Sequence, residues 1–433
     1  MSASGRHCRS LRRTDSDTYQ RIGDVAMPVT SQSRRRFLAT SSLLSAGALA
    51  MAADDKPGGS KRDDSGASTS AATSKGSGRQ IELAPPDKQP PKLELPEVVD
   101  RKVGWAIVGL GQLALEEVMP AFGECKHSQP VALVSGHADK AKRVAEAYGI
   151  DTKRIYNYEN YDELARDERV QVIYIILPNS MHAEYTIRGL KAGKHVLCEK
   201  PMAVTTEECE RMIAAADQAN RKLMIAYRLQ YEPFNMKVIE WCRDKKIGEL
   251  KLIYASNGQD VAAPNIRLSR KLGGGPVGDV GVYCINAARY ITGEEPVEVT
   301  AHAHSPDDPR FDEVPESVVF TLRFPSGVLA HCDCSFGTAE NRQYRVLGNK
   351  GTIDLERAFG YFGQQLSWND GDGPQDVQLK PVNHFAAEMD HFSQCVLNNR
   401  DSRTPGSEGL ADMRVVEAID RAASDGKLVK IKG

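Results

Sequence analysis

At 433 residues the chain is long enough for two or three domains, and its 41% hydrophobic and 26% charged content is that of an ordinary soluble protein with a sizeable core. The formal net charge is −2 and no basic block recurs beyond the N-terminal region, so nothing points to nucleic acid. No apolar run approaches the ~20 residues that span a bilayer, and the nine cysteines are scattered without metal-ligand spacing, so most read as buried thiols and no metal site is expected.

Taken in order, residues 1–53 read as an address. Ser33-Arg34-Arg35-Arg36-Phe37-Leu38 precedes a mildly apolar Ala/Ser/Leu run to Ala52, whose small residues suit a signal peptidase. The segment resembles a twin-arginine signal peptide, which implies the twin-arginine export machinery as a partner, a periplasmic destination and no stable membrane insertion. Met27 is a second candidate start, since a signal beginning there has the usual short basic region. Residues 54–100 turn to Gly, Ser, Lys and Asp and then to Pro85-Pro86 and Pro90-Pro91. Such a segment cannot bury enough apolar surface to fold alone and is a linker or a Pro-rich arm.

Residues 101–227 alternate strand and helix. Val103 to Ala114 reads as a buried strand running into a glycine turn, G-x-G-x-x-A, in which Gly109 and Gly111 let main-chain N–H groups approach a pyrophosphate. The cradle is expected to be Gly109, Leu110, Gly111, Gln112 and Leu113. Helix 112–124, strand 131–134 and helix 138–148 follow. The second strand ends in Ser135-Gly136 where a carboxylate would hold the ribose 2′-OH of NAD, and Lys140 can reach the same place, so NADP is favoured over NAD. After a helix at 162–166, the run 170–177 is apolar on both faces, as a central parallel strand requires. Leu177, Pro178, Asn179 and His182 at its carboxyl end are placed to line the cofactor cleft, although His182 can equally begin the next helix. Strand 195–198 ends at Glu199-Lys200-Pro201, which sets a lysine where the nicotinamide should lie, and strand 223–226 closes the sheet.

Gly109-Leu110-Gly111, Leu177-Pro178-Asn179-Ser180-x-His182 and Glu199-Lys200-Pro201 together resemble the glucose-fructose oxidoreductase, inositol dehydrogenase and rhizopine-catabolism (Gfo/Idh/MocA) oxidoreductase family, from about Val103 to the C-terminus. The resemblance implies that Lys200 is catalytic. It maps NADP contacts to Ser135, Lys140, Tyr158, Arg228, Arg267 and Tyr361, adds Glu199 to the cofactor site and Tyr231 to the substrate site, and implies a homo-oligomer, dimer or tetramer. In the family a proline-rich arm clasps a neighbour's cofactor, but the arm here differs in composition.

Residues 228–433 form an α+β domain for substrate and oligomerisation. Strand patterns at 251–256, 297–302, 317–324, 328–334, 343–348 and 352–355 describe a large, mainly antiparallel open sheet, giving as fold class an α/β Rossmann domain plus a C-terminal α+β domain. A glycine-rich loop, Gly273 to Gly278, leads into a helix that sets Asp279, Tyr283 and Asn286 at i, i+4 and i+7, on one face of an α-helix. An N-cap for Asp279 and a core position for Tyr283 are the structural alternatives. In the resembling family this helix carries the proton-transfer residues, often Asp and His; Tyr283 in place of His points to the sugar-oxidising branch. Helices 383–397 and 408–423 are expected to return to the Rossmann domain. His384, Glu388 and His391 share a helix, with packing or solvation expected rather than metal ligation.

The expected chemistry is hydride transfer from an aldose such as glucose to tightly bound NADP, with Lys200, Asp279 and Tyr283 catalytic and, with Tyr231, contacting the sugar. An exported enzyme has no cofactor pool, which implies ping-pong reoxidation by a second sugar such as fructose. The alternatives are a redox-assisted glycosidase using bound NAD and a non-catalytic sugar-binding protein on the same fold.

Overall fold

The computed structural model describes residues 102–432; the signal-like region and the Pro-rich segment lie outside the described residues. Six parallel strands, β1 (Val103–Val108), β2 (Ser128–Val134), β3 (Ile155–Tyr156), β4 (Val172–Ile175), β5 (His195–Cys198) and β6 (Leu223–Ile225), form a sheet ordered β3-β2-β1-β4-β5-β6. Strands β1 and β4 are buried at every residue, because helices cover both faces and a central parallel strand has no solvent side. The order reverses between β1 and β4, and a crevice opens at such a switch point beyond the carboxyl ends of the strands.

The helix after the glycine turn is wound as a π-helix over Ala114–Val118 and as α over Met119–Ala121. Pro120 has no N–H to give to the carbonyl of Glu116, so the usual i→i−4 ladder is interrupted there. The segment expected as a helix at 162–166 is a 3₁₀ helix, Tyr161–Arg166.

The second sheet has nine strands: β7 (Leu250–Asp260), β8 (Glu298–His304), β9 (Ser317–Arg323), β10 (Leu329–Ser335), β11 (Gly337–Gly348), β12 (Thr352–Glu356), β13 (Gln365–Asn369), β14 (Gln375–Val377) and β15 (Val429–Lys430). Their order is β14-β13-β12-β11-β7-β10-β9-β8-β15, antiparallel throughout except for the parallel pair β7 and β10. This is the expected mainly antiparallel sheet, wider by β13, β14 and β15 than the sequence pattern indicates. Burial alternates along β9, so one face meets the core while Val319 on the other is exposed. The helices Val282–Thr292 and Gly406–Asp425 cover the inner face.

One apolar cluster runs from the Rossmann sheet (Ile173, Ile175, Cys198, Met202) into the second domain (Val280, Ile285, Phe320, Val346). A second lies on the opposite face of the Rossmann sheet, where Trp105 meets Phe122, Tyr174 and Phe392 edge-on at centroid distances of 6.0–6.2 Å. The helix His384–Leu397 contributes Phe392 and is fixed by Asp390, whose carboxylate accepts from the backbone N–H groups of Lys126 (2.6 Å) and His127 (2.8 Å). The eight described cysteines are free and buried. Among the described residues no helix is long and apolar enough to cross a membrane.

Candidate active site

The glycine turn fits a dinucleotide on two counts. Gly109 has φ +94°, and a Cβ there would stand 2.1 Å from the carbonyl oxygen of Ile176, so no other residue is accommodated. A Cβ on Gly111 meets nothing within 4 Å: that side of the turn is open space in front of the following helix's N-terminus, where backbone N–H groups favour an anion. Leu110 is buried and serves through its backbone, Gln112 is exposed and donates to Glu116 (3.0 Å), and Leu113 packs on the Trp105 cluster. These residues fit a dinucleotide.

On the adenosine side, Ser135 is buried and its Oγ accepts from the N–H of His137 (3.1 Å). Lys140 reaches back 3.4 Å to the carbonyl of Leu110, so its ammonium lies between the second strand and the glycine turn. Tyr158 closes the far side: a Cβ on Gly136 would stand 3.2 Å from its ring. Burial pushes the Tyr158 phenol up to about 12. The Ser135 hydroxyl and the Lys140 ammonium at this corner are donors of the kind that suit a 2′-phosphate.

Beyond β4, the amide of Asn179 donates to the carbonyl of Gly273 (2.9 Å), tying the Leu177-Pro178-Asn179 segment to the glycine-rich loop of the second domain. His182 does not line the cleft. It begins the helix His182–Lys191, is fully buried, and sets Nε2 2.9 Å from the carbonyl of Leu177 and Nδ1 2.8 Å from that of Pro201. Glu199, at the end of β5, accepts from the phenol of Tyr174 (2.7 Å), and burial raises its pKa.

Lys200 is the centre of the site. Its Nζ donates to the carbonyl oxygen (2.6 Å) and Oδ1 (3.2 Å) of Asp279 and stands 4.7 Å from the centroid of the Tyr283 ring. Burial alone would lower the ammonium's pKa; Tyr283 and Asp279 outweigh it and hold it above the usual value. Arg267, on an exposed loop, donates from Nε to the other Asp279 oxygen (2.6 Å). Burial works against ionisation of Asp279, but Arg267 and then Lys200 prevail and hold the carboxyl far below the ordinary range. Asp279 is a fixed anion between two cations.

The Asp279 segment departs from the expected α-helix: Val277–Gly281 is π-wound and only Val282–Thr292 is α. A π turn rotates less per residue, so the i, i+4, i+7 face is not kept. Asn286 is therefore turned away, donating to Asp412 (3.3 Å) in a buried cluster with Arg289. Asn257 of β7, absent from the sequence reading, donates to the carbonyl of Val280 (2.9 Å) and fixes the π turn to the large sheet. Arg228 is buried with its guanidinium 5.0 Å from the Tyr283 ring and 4.7 Å from that of Tyr361, and donates to the carbonyls of Phe359 (2.6 Å) and Gly360 (3.1 Å). Arg228, Tyr283 and Tyr361 thus form one stack behind Lys200, with burial raising Tyr361 to about 12.

Tyr231, expected at the substrate, is set apart: it is buried against His391 (ring centroids 5.2 Å) and Arg403, with its hydroxyl 4.0 Å from Met224 Sδ. Glu388 is fully buried with neither carboxyl oxygen hydrogen-bonded, and burial together with Glu199 raises its pKa well above normal. His384 is also buried and held down to about 3, by desolvation first and Arg228 second. Among the described residues no cluster of three or more His, Cys, Asp or Glu could hold a metal ion.

Comparison with known proteins agrees with this geometry. Residues 103–227 match the model of the oxidoreductase family with an NAD-binding Rossmann fold, and residues 236–354 match the GFO/IDH/MocA C-terminal domain. The structure of an aldose-aldose oxidoreductase from Caulobacter crescentus, complexed with glycerol, is 44% identical with a TM-score of 0.75, the match covering 76% of this chain and 100% of that one. A 3-ketoreductase from Actinomadura kijaniata, in complex with NADP and TDP-benzene, is 26% identical with a TM-score of 0.68 over 74% of this chain and 98% of that one. D-xylose 1-dehydrogenase [NADP(+)] of Haloarcula marismortui is 27% identical over 339 residues, 77% of this chain and 94% of the relative. With its glycine turn, its Glu199-Lys200-Pro201 strand end and both family domains in place, the chain belongs to the Gfo/Idh/MocA family of NAD(P)-dependent oxidoreductases.

Proposed function

We propose that this protein is an NADP-containing sugar oxidoreductase that oxidises an aldose at C1 and returns the reducing equivalents to a second sugar by a ping-pong cycle. The observation that carries the reading is the Lys200–Asp279 pair over the Tyr283 ring at the carboxyl end of β5. It is supported by the likeness, over the whole of that chain, to the aldose-aldose oxidoreductase. Tight retention of the cofactor, with NADP preferred through Ser135 and Lys140, belongs to the same proposal.

When bound, the nicotinamide supplies the hydride acceptor. The protein's part is to manage the proton and charge of the sugar hydroxyl. With its own phenolic proton first passed to solvent, a loss that the nearby Lys200 ammonium favours, the Tyr283 oxygen takes the hydroxyl proton, and the ammonium of Lys200 stabilises the alkoxide as it develops. Asp279, held ionised by two cations, does not accept that proton; it fixes Lys200 and Arg267 in place. Arg228 keeps the Tyr283 ring from turning. Glycine-turn N–H groups, with Ser135 and Lys140, would hold the dinucleotide, and Asn179 would keep the mouth of the cleft joined to the glycine-rich loop.

Export by the twin-arginine route, with a periplasmic location, is part of the proposal and rests on Ser33-Arg34-Arg35-Arg36-Phe37-Leu38. Away from a cofactor pool, a released dinucleotide is lost, which is the argument for recycling in place. A homo-oligomer is proposed on the family resemblance.

The test uses the protein as purified, with no cofactor added. The bound ligand is released by denaturation and identified, and the native protein is given glucose or xylose alone while the reduced-nicotinamide absorbance is followed. Stoichiometric NADP, a single-turnover burst and its reversal by a second sugar are expected. An empty protein, or bound NAD with no burst, would turn the reading to a redox-assisted glycosidase or a non-catalytic sugar-binding protein.

A further inference from the structure

His182 faces two acceptors. Its ring is fully buried, and both nitrogens stand within hydrogen-bond distance of carbonyl oxygens, Nδ1 at 2.8 Å from Pro201 and Nε2 at 2.9 Å from Leu177. A carbonyl oxygen cannot donate. A neutral imidazole has one N–H, so in that form one of the two contacts sets a lone pair against a lone pair; only the doubly protonated ring satisfies both.

The two carbonyls are not arbitrary backbone. Pro201 follows Lys200 directly, and Leu177 opens the segment whose Asn179 donates to Gly273. His182 therefore ties the turn that carries Lys200 to the segment that joins the two domains. We propose that His182 is a positioning residue for Lys200, acting as a two-donor clamp between the carboxyl ends of β4 and β5 that is closed when the ring is an imidazolium and loses one contact when the ring is neutral.

The groups acting on the ring divide as follows. Desolvation opposes the cation most strongly, the carbonyls of Pro201 and Leu177 and the backbone of Met202 favour it, and Lys200, the charged side chain that faces it from the turn, opposes it again; the balance holds the ring below the ordinary imidazole pKa, so the clamp closes on the acid side of it. The opposition makes the clamp responsive. Loss of the proton releases either the Lys200 turn or the Leu177 segment, and in both cases the ammonium is less well held over Tyr283. Activity then falls as pH rises through the ring's titration, with the loss mainly in kcat, because the Lys200 ammonium counts most against the alkoxide that develops in the transition state.

The inference rests on reading Lys200 as catalytic, so the first measurement needs no substrate. The holoprotein is labelled with ¹⁵N-histidine, and the His182 ring nitrogens are assigned by their loss in His182→Phe, or by through-bond correlation in the wild type if that variant does not fold. Two protonated nitrogens at low pH, converting to one as pH rises on the acid side of the ordinary imidazole pKa, between about 4 and 7, are expected; a ring with a single N–H across that whole range overturns the clamp. The second measurement is the pH profile of single-turnover reduction by a sugar that the wild type accepts. His182→Phe should lower the rate at least about tenfold, leave KM within about twofold and remove the limb that tracks the His182 titration; an unchanged rate and profile overturn the positioning role. A wild-type protein that titrates as described but oxidises no sugar would refute the proposed function and leave the clamp standing.

Discussion

Replacing Lys200 by alanine is the most informative single change, because the structure separates its cost to folding from its cost to chemistry. The ammonium makes two contacts to Asp279 and none to another carboxylate side chain, so its removal strands one anion. Breaking a buried pair costs about 3–5 kcal/mol when the remaining charge is left alone. Here Asp279 keeps Arg267 at 2.6 Å, on a half-exposed side chain that water also reaches, so the loss should be smaller, about 1–2 kcal/mol. A domain of this size tolerates that. The transition state has no such substitute: Arg267 is bonded to the far oxygen of Asp279, and Arg228 is engaged with Phe359 and Gly360. Removing one preorganised charge from a developing oxyanion typically costs a factor of about 100–1000 in rate, or roughly 2.7–4 kcal/mol. Stopped-flow single-turnover reduction by an aldose, with thermal melts alongside, measures both numbers. A Lys200→Ala protein that melts within a few degrees of wild type and keeps more than about a tenth of its rate would refute the assignment of Lys200.

Other changes test separate parts of the argument. Gly109→Ala should cost several kcal/mol or prevent folding, since its Cβ would meet the Ile176 carbonyl, whereas Gly111→Ala should leave the melt unchanged and weaken dinucleotide binding at least about tenfold; equal affinity for Gly111→Ala in a cofactor titration would show that the open side of the turn faces no ligand. Ser135→Asp combined with Lys140→Ala should shift the NADP-to-NAD affinity ratio toward NAD by at least about 100-fold, read by calorimetry on apoprotein. Glu388 has a pKa raised by burial, so in the fold it keeps its proton to a higher pH than in the unfolded chain; its contribution is present below the ordinary carboxyl pKa and lost as pH rises toward the folded value. Glu388→Gln should therefore remove a slope of up to about 1.4 kcal/mol per pH unit from the stability curve directly above the ordinary carboxyl pKa, and parallel wild-type and variant curves from denaturant unfolding would contradict the raised pKa.

What the sequence disclosed and what it withheld follow from the range of the forces involved. The central strands announce themselves because burial on both faces removes polar residues from them, and β5 coincides with its expected bounds. Lys200 is legible for a related reason: a charged residue directly after an apolar strand is placed by the sheet. The edge strands β13 and β14 are short, polar and half exposed, so their pattern resembles that of a loop, and β15 exists only through pairing with β8 from more than a hundred residues away. Asn286 lies off the expected face because a winding of 3.6 residues per turn does not hold through a segment that the sheet, by way of Asn257, keeps in a wider turn. Tyr231 and His182 went to the interior for the opposite reason to Lys200, since each follows a strand end but has buried partners available. Arg267 could be named from resemblance, yet its bond to Asp279 depends on a loop closing over twelve residues, which no spacing rule encodes.

The apolar cluster common to both domains bears on how long the cofactor stays. Enzymes that bind a dinucleotide between two lobes often load and unload it by swinging one lobe about a hinge. Here the two domains share one apolar cluster, with Ile173, Ile175 and Met202 at one end and Val280, Ile285 and Phe320 at the other, and such a swing would open that cluster to water. At about 1.5–3 kcal/mol for each large side chain fully uncovered, even partial separation costs more than thermal motion supplies on the timescale of a catalytic cycle. Exchange of the dinucleotide is left to local opening of the segments at the cleft mouth, with the Asn179 bond to Gly273 as the first to part. Under the proposed function, a molecule built in this way is a carrier of one nicotinamide, reduced and oxidised many times between rare departures.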